Sequence, residues 1–148
     1  MNLTIRKMNY ADFDDLYELL SDPIIMEHIE PPFTKERAAQ FLETAGLSNP
    51  SLIYSVEDEN GNFIGYVIYH DYDAESKEIG WILKRNVWGK GYAKKLTEQL
   101  ITRADSEGKS VIIECAPEQR VTKHIAEAFG FTYVGRHDGC DVYRRGRV

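Results

Sequence analysis

Two acids and a pair of glycines are the residues of this chain best suited to chemistry. Glu78 stands in "KEIGWILKR", sharing a strand face with small Gly80, and Glu114 interrupts the apolar "SVIIECA". Apolar strands rarely carry a carboxylate without a partner or a task. Either acid could act as a general base, directly or through a water; alternatively it pairs with an arginine or caps the following helix. Gly89 and Gly91 flank Lys90 in "NVWGKGYA", between an apolar run and a helical pattern. A helix start offers unpaired N–H groups and the positive end of the helix dipole, and glycine lets an anion approach them. The other reading of this pair is a tight turn and nothing more.

Three phosphate-binding patterns can be set against "NVWGKGYA". A Walker loop needs wider spacing and a Ser or Thr after its lysine, and neither is present. A dinucleotide fingerprint meets Lys94 where its third glycine belongs, although Glu114 sits at a distance that loosely mimics the ribose-binding acid. His28, His70, His124 and His137, with Cys115 and Cys140, lack metal-ligand spacing, so no metal is expected. Cys115 reads as a core thiol and His124 as a solvent-facing side chain.

The elements that must position these groups follow from periodicity. "NLTIRKM" alternates as a strand, and "NYADFDDLYELLSD" repeats as a helix capped by Asn9. Thr34 caps a second helix that Gly46 stops. Two β-rich runs surround Asn60-Gly61, a hairpin signal, and "KEIGWILKR" is a third. A helix from Tyr92 toward Gly108 places Ala93, Leu96, Leu100, Ile101 and Ala104 on one face. "SVIIECA" is a strand, and Pro117 opens a last helix that Gly130 ends. "FTYVGRH" and "CDVYRRGR" pair across Asp138-Gly139. The order β α α β β β α β α β β predicts a mixed α+β fold with a largely antiparallel sheet. Its one βαβ unit, residues 77–115, should be a parallel right-handed crossover.

Composition bounds what such a fold does. At 148 residues the chain suffices for one domain and is too short to expect two, so 1–148 is read as a single domain. A net charge of −6 argues against nonspecific nucleic-acid binding. Two cysteines, no apolar leader and no membrane-length run suggest a cytoplasmic protein without a membrane partner. A homodimer is left open.

"NVWGKGYA" resembles the acyl-coenzyme A pyrophosphate loop of the GNAT superfamily of N-acetyltransferases, Gln/Arg-x-x-Gly-x-Gly/Ala at a strand-to-helix turn. Asn86 stands where Gln or Arg is usual. "EIGWILKRNVWGKGYA" looks closely like the branch that contains the ribosomal-protein N-terminal acetyltransferases. That branch continues with an Asn-x-x-Ser helix ending in hydrophobic-Gly-Phe. Counted back from "FGF" (129–131), those two positions are Gln119 and Thr122. The element order is similar to the family fold, a twisted, mostly antiparallel sheet with a splayed parallel strand pair and about four helices.

The resemblance implies that Gly89, Lys90, Gly91, Tyr92 and Ala93 surround the pyrophosphate of acetyl-coenzyme A, the cosubstrate. Lys94 and Lys95 either add charge there or form a solvated face. It implies that backbone at Ile82, Leu83 and Lys84 pairs with the pantetheine arm, that Gln119 borders the cofactor, and that Glu78 or Glu114 is the base with Thr122 assisting. Trp81 reads as core; Trp88 either covers the cofactor or packs on the helix. The family's tyrosine acid on the late helix falls at Ala126, leaving Tyr133 and Tyr143 as substitutes. The implied activity is acetyl transfer to a primary amine, a small molecule or a peptide or protein N-terminus, in a ternary complex. Asp22, Glu27 and Glu30 could form an acidic lip for such an amine. Two alternatives are a non-catalytic acyl-coenzyme A-binding regulator and, more weakly, a dinucleotide-dependent enzyme.

Overall fold

The structure is a computed structural model and describes residues 2–146; the last residue of the predicted final strand, Arg147, lies outside them. Its strands are β1 (Thr4–Arg6), β2 (Ile53–Glu57), β3 (Phe63–Asp73), β4 (Ser76–Leu83), β5 (Ser110–Cys115), β6 (Thr132–His137) and β7 (Cys140–Arg145). Its α-helices are α1 (Phe13–Leu20), α2 (Lys35–Phe41), α3 (Tyr92–Ser106) and α4 (Arg120–Ala128). The element order is the expected one. The strands form one sheet in the order β1-β2-β3-β4-β5-β7-β6, antiparallel at every junction except β4–β5.

Strand alternation divides the core between the sheet's two faces. Val67, Ile79, Val111 and Ile113 meet Leu96, Leu100 and Ala104 of α3 and Ala126 of α4. On the opposite face Ile53, Tyr66 and Ile82 meet Leu16, Leu19 and Leu20 of α1 with Ala38 of α2. Leu16, Ala38, Leu96 and Ala104 are entirely shielded from water, and burying a leucine contributes about 1.5–3 kcal/mol. No helix among the described residues is long and apolar enough to cross a membrane.

Local chemistry explains the element ends. Asn9 caps a 3-10 turn that leads into α1, and Asp12 Oδ2 answers by accepting from the Asn9 N–H at 2.9 Å. The Thr34 hydroxyl accepts from the Arg37 N–H at 3.2 Å. The β2–β3 hairpin forms as expected, and Asp58 holds its loop by accepting from the N–H groups of Asn60 and Asn62. One expectation needs correction. The last helix begins at Arg120, not Pro117. Gln119 bends its side chain back to the Ala116 N–H at 2.8 Å, which stabilises a turn ahead of the helix. The β6–β7 turn is as expected, with Asp138 (φ 49°) and Gly139 (φ 79°) both left-handed.

Candidate active site

β4 and β5 pair through three register positions, Ser76↔Ser110, Lys77↔Val111 and Glu78↔Ile112, and then separate. The Lys84 N–H donates to the Ile64 carbonyl at 2.9 Å, so the Lys84 backbone faces β3. Backbone direction alternates along an antiparallel strand, so Ile82 also faces β3 while Leu83 and Trp81 face the widening gap. Of the three positions expected to meet pantetheine, only Leu83 thus turns its backbone toward the gap. Its carbonyl accepts from the Trp88 indole N–H at 2.9 Å. Trp88 is therefore a strut beneath the glycine turn, and Trp81 packs on the core as expected. Close packing of β3 on β4 at this point requires Gly65: at φ +150°, a Cβ there would lie 2.2 Å from the Ile82 carbonyl oxygen.

Two ion pairs tie the segment before the glycine turn to the first helix and its exit: Lys84–Asp15 at 3.4 Å and Arg85–Asp22 at 2.9 Å. Gly89 (φ +74°) and Gly91 (φ +84°) are both left-handed, and a Cβ on either would meet no atom within 4 Å. Glycine is needed here for its conformation, and the space beside the chain is open. Gly91 is the N-cap of α3 and no side chain caps that helix. The first N–H groups of a 15-residue helix thus point into open space. Lys90 and Lys94 are exposed, Lys95 pairs with Glu98 at 3.5 Å, and Tyr92 and Ala93 pack half-buried against the core.

A cleft of about 180 Å³ occupies the gap, and Glu78, Gly80, Ile82, Glu114, Gln119 and Thr122 all line it. The fold thus brings both candidate acids, Thr122 and Gln119 together. Among the described residues neither acid forms an ion pair with Lys or Arg. Glu114 is not the cap of the next turn either, since Gln119 fills that role. Burial pushes the Glu78 carboxyl up, His70 pulls it down and Glu114 pushes it up again. His70 Nε2 lies 3.8 Å from Glu78 Oε1. Burial raises the Tyr72 phenol, and the nearby charges of Glu114 and Glu78 raise it further.

Other candidates fall elsewhere. Ala126 is wholly buried, Tyr143 is buried edge-on against Tyr133, and the Tyr133 hydroxyl turns to Asp141 at 3.4 Å. Cys115 is buried, which pushes its thiol up to about 11. The acidic lip is largely compensated: Asp22 pairs with Arg85, Glu30 with Arg37 at 2.6 Å and Glu27 with His28 at 3.1 Å. Sequence reasoning missed His70 and Tyr72 beside the acids, and also Cys140, which lines the cleft. His70 and Tyr72 come from β3 and Cys140 from β7, and only cross-strand register brings them to the acids on β4 and β5.

This architecture, a mixed sheet parted between two parallel strands beside an uncapped helix start, belongs to a known class. Residues 2–132 match the family described as the acetyltransferase (GNAT) domain, and the chain belongs to that family of acetyltransferases. It is 27% identical over 142 residues to the uncharacterized N-acetyltransferase YnaD of Bacillus subtilis, covering 93% of this chain and 84% of that one. A second uncharacterized N-acetyltransferase, from Bacillus licheniformis, is 34% identical over 107 residues, 67% of this chain and 60% of its own length. In fold the chain is similar to a GNAT acetyltransferase from Bacillus anthracis, with TM-score 0.84, 24% identity and coverage of 97% and 93%. It is likewise similar to the spermidine N-acetyltransferase of Vibrio cholerae solved with CoA and spermine, with TM-score 0.79, 22% identity and coverage of 96% and 92%.

Proposed function

We propose that this chain, with residues 1–148 acting as one domain, transfers acetyl from acetyl-coenzyme A to a primary amine by direct attack with both substrates bound. The observation that carries this reading is the cleft, where two acids without Lys or Arg partners stand in the gap beyond the last β4–β5 register pair. Acetyl-coenzyme A fits the neighbouring features: the uncapped α3 start suits a diphosphate and the gap suits an extended amide-bearing arm. When bound it supplies the activated acyl group.

The chain's own residues do the rest. Main-chain N–H groups at Gly89, Lys90, Gly91, Tyr92 and Ala93 hold the diphosphate, and Lys94 remains free to add charge. Backbone facing the gap at Leu83, beside Ile82 and Lys84, orients the arm, and a donor there polarises a carbonyl oxygen. Gln119 shapes the wall opposite. Glu78 is the favoured base, with Glu114 beside it: its raised proton affinity brings a carboxylate nearer the working pH. The demand depends on the acceptor. Freeing a lysine-like amine at pH 7 costs about 4.6 kcal/mol, against about 1 kcal/mol for an α-amino group. Thr122 offers a hydroxyl to the departing thiolate from the α4 side.

Acceptors include peptide or protein N-termini and small amines; the spermidine enzyme from Vibrio cholerae puts polyamines on the panel to be tried. Both cysteines are free thiols, which fits a reducing compartment such as the cytoplasm. The test is thiol release from acetyl-coenzyme A with monoamines, polyamines and free-N-terminal peptides. Glu78→Gln and Glu114→Gln should lower turnover while coenzyme A affinity persists. If no amine is acetylated above background hydrolysis, the proposal fails; if both variants keep full rate, the base assignment fails.

A further inference from the structure

His70 lies directly across the β3–β4 ladder from Glu78, its register partner. The orientation of its ring is settled by the nitrogen that does not face the acid. Nδ1 is 2.9 Å from the Asp71 carbonyl oxygen, which can only accept, so Nδ1 carries a hydrogen in either charge state. Protonation is thereby confined to Nε2, the atom 3.8 Å from Glu78 Oε1. With no proton between them, a nitrogen lone pair confronts an ionised oxygen. With one proton the two attract. At this separation a single bridging water or a small side-chain rotation completes the link.

We infer that His70 is the proton-accepting partner of Glu78, so that a proton drawn from the acceptor amine passes through the carboxylate to Nε2 and out to solvent. This rests on the reading of Glu78 as the base. The steps balance without any further reactant. The amine N–H bond breaks as an O–H bond forms on Glu78; that O–H breaks as the Nε2–H bond forms; the imidazolium then gives its proton to water.

The surroundings favour this exit over others. The His70 side chain is 27% exposed, so its ring reaches water at the rim. Glu78 is also faced by Glu114 of β5, Cys140 of β7 and Tyr72 of β3. The thiol and the phenol are both pushed up and hold their protons at neutral pH. Glu114 lines the same cleft as Glu78 and only duplicates its chemistry, whereas the His70 side chain is a nitrogen base partly open to water. His28, which also borders the cleft, is already engaged with Glu27.

The experiment is His70→Gln, with His70→Asn as the second variant, assayed by thiol release in dilute, non-imidazole buffer across pH 5.5 to 9. Turnover should fall about tenfold, less than the full contribution of a general base. The KM for acetyl-coenzyme A should stay put, and added imidazole should restore the rate. A purely structural role for His70 would show no imidazole rescue. The inference is overturned if either folded variant keeps the wild-type pH profile, or if its deficit ignores imidazole. Glu78→Gln separates the two claims. Full activity in that variant removes the base reading itself, whereas an inactive Glu78→Gln beside a wild-type His70→Gln removes only the relay.

Discussion

Replacing Gly91 by alanine offers a controlled test of the glycine turn, because the molecule contains its own reference position. Gly91 has φ +84° and Gly61, in the β2–β3 loop, has φ +80°; a Cβ on either meets no atom within 4 Å. Each substitution therefore costs only the left-handed conformation, about 1–2 kcal/mol. At this chain length that is a Tm drop of roughly 2–8 °C for both. The variants should part company in coenzyme A binding. At Gly91 a methyl group enters the space before the uncapped α3 N–H groups, and losing one charge-assisted hydrogen bond costs about 1.5–3 kcal/mol. The Kd measured by calorimetry should rise roughly tenfold to a hundredfold for Gly91→Ala and stay unchanged for Gly61→Ala. Equal Kd values in the two variants, with matched Tm losses, would refute the placement of the diphosphate at this helix start.

Three further outcomes follow from the packing. Trp88→Phe removes the donor to the Leu83 carbonyl and should lower stability by about 0.5–1.5 kcal/mol while weakening coenzyme A binding; an unchanged Tm and Kd would show that the strut is idle. Gly65→Ala drives a methyl group into backbone at Ile82 and Leu83 and should cost about 3 kcal/mol or more by urea titration. A loss under 1 kcal/mol would mean that β3 and β4 separate easily. At Asp12, burial pushes the carboxyl up, but Arg6, the Asn9 N–H and the Ser55 hydroxyl outweigh it and hold it low. A carboxyl depressed in the folded state stabilises above its unfolded value, about 3.9, and that contribution is lost as pH falls through the folded value. Asp12→Asn should therefore cost roughly 1–2 kcal/mol at neutral pH, and its Tm gap to the parent should close on acidification below about pH 4. A gap that stays constant would place the effect in packing.

Much of the fold could be read from apolar spacing, because each strand and helix buries one side. Leu96, Leu100 and Ala104 recur at helical intervals and are all buried, and the glycine pair marks its turn through a conformation other residues rarely adopt. Side-chain bonds that act over short range were not legible: Asp58 holding the β2–β3 loop and Gln119 delaying α4. Nor was the neighbour of Glu78. Counting back from the Asp73↔Ser76 turn pair would set Asp71 opposite Glu78; the irregularity between Asp71 and Asp73 slips the ladder by one and brings His70 there instead. Periodicity reports which face a residue takes and says nothing of such a slip.

The short seam between β4 and β5 has a mechanical consequence. Three register pairs join a leaf of four strands to a leaf of three, so the cleft is the mouth of a wedge whose walls are whole sheets. A molecule lying between the leaves acts as a missing strand would, completing the sheet across the gap. The Leu83 amide, which turns toward the gap, is then the natural reporter of occupancy, its hydrogen exchange slowing when the wedge is filled.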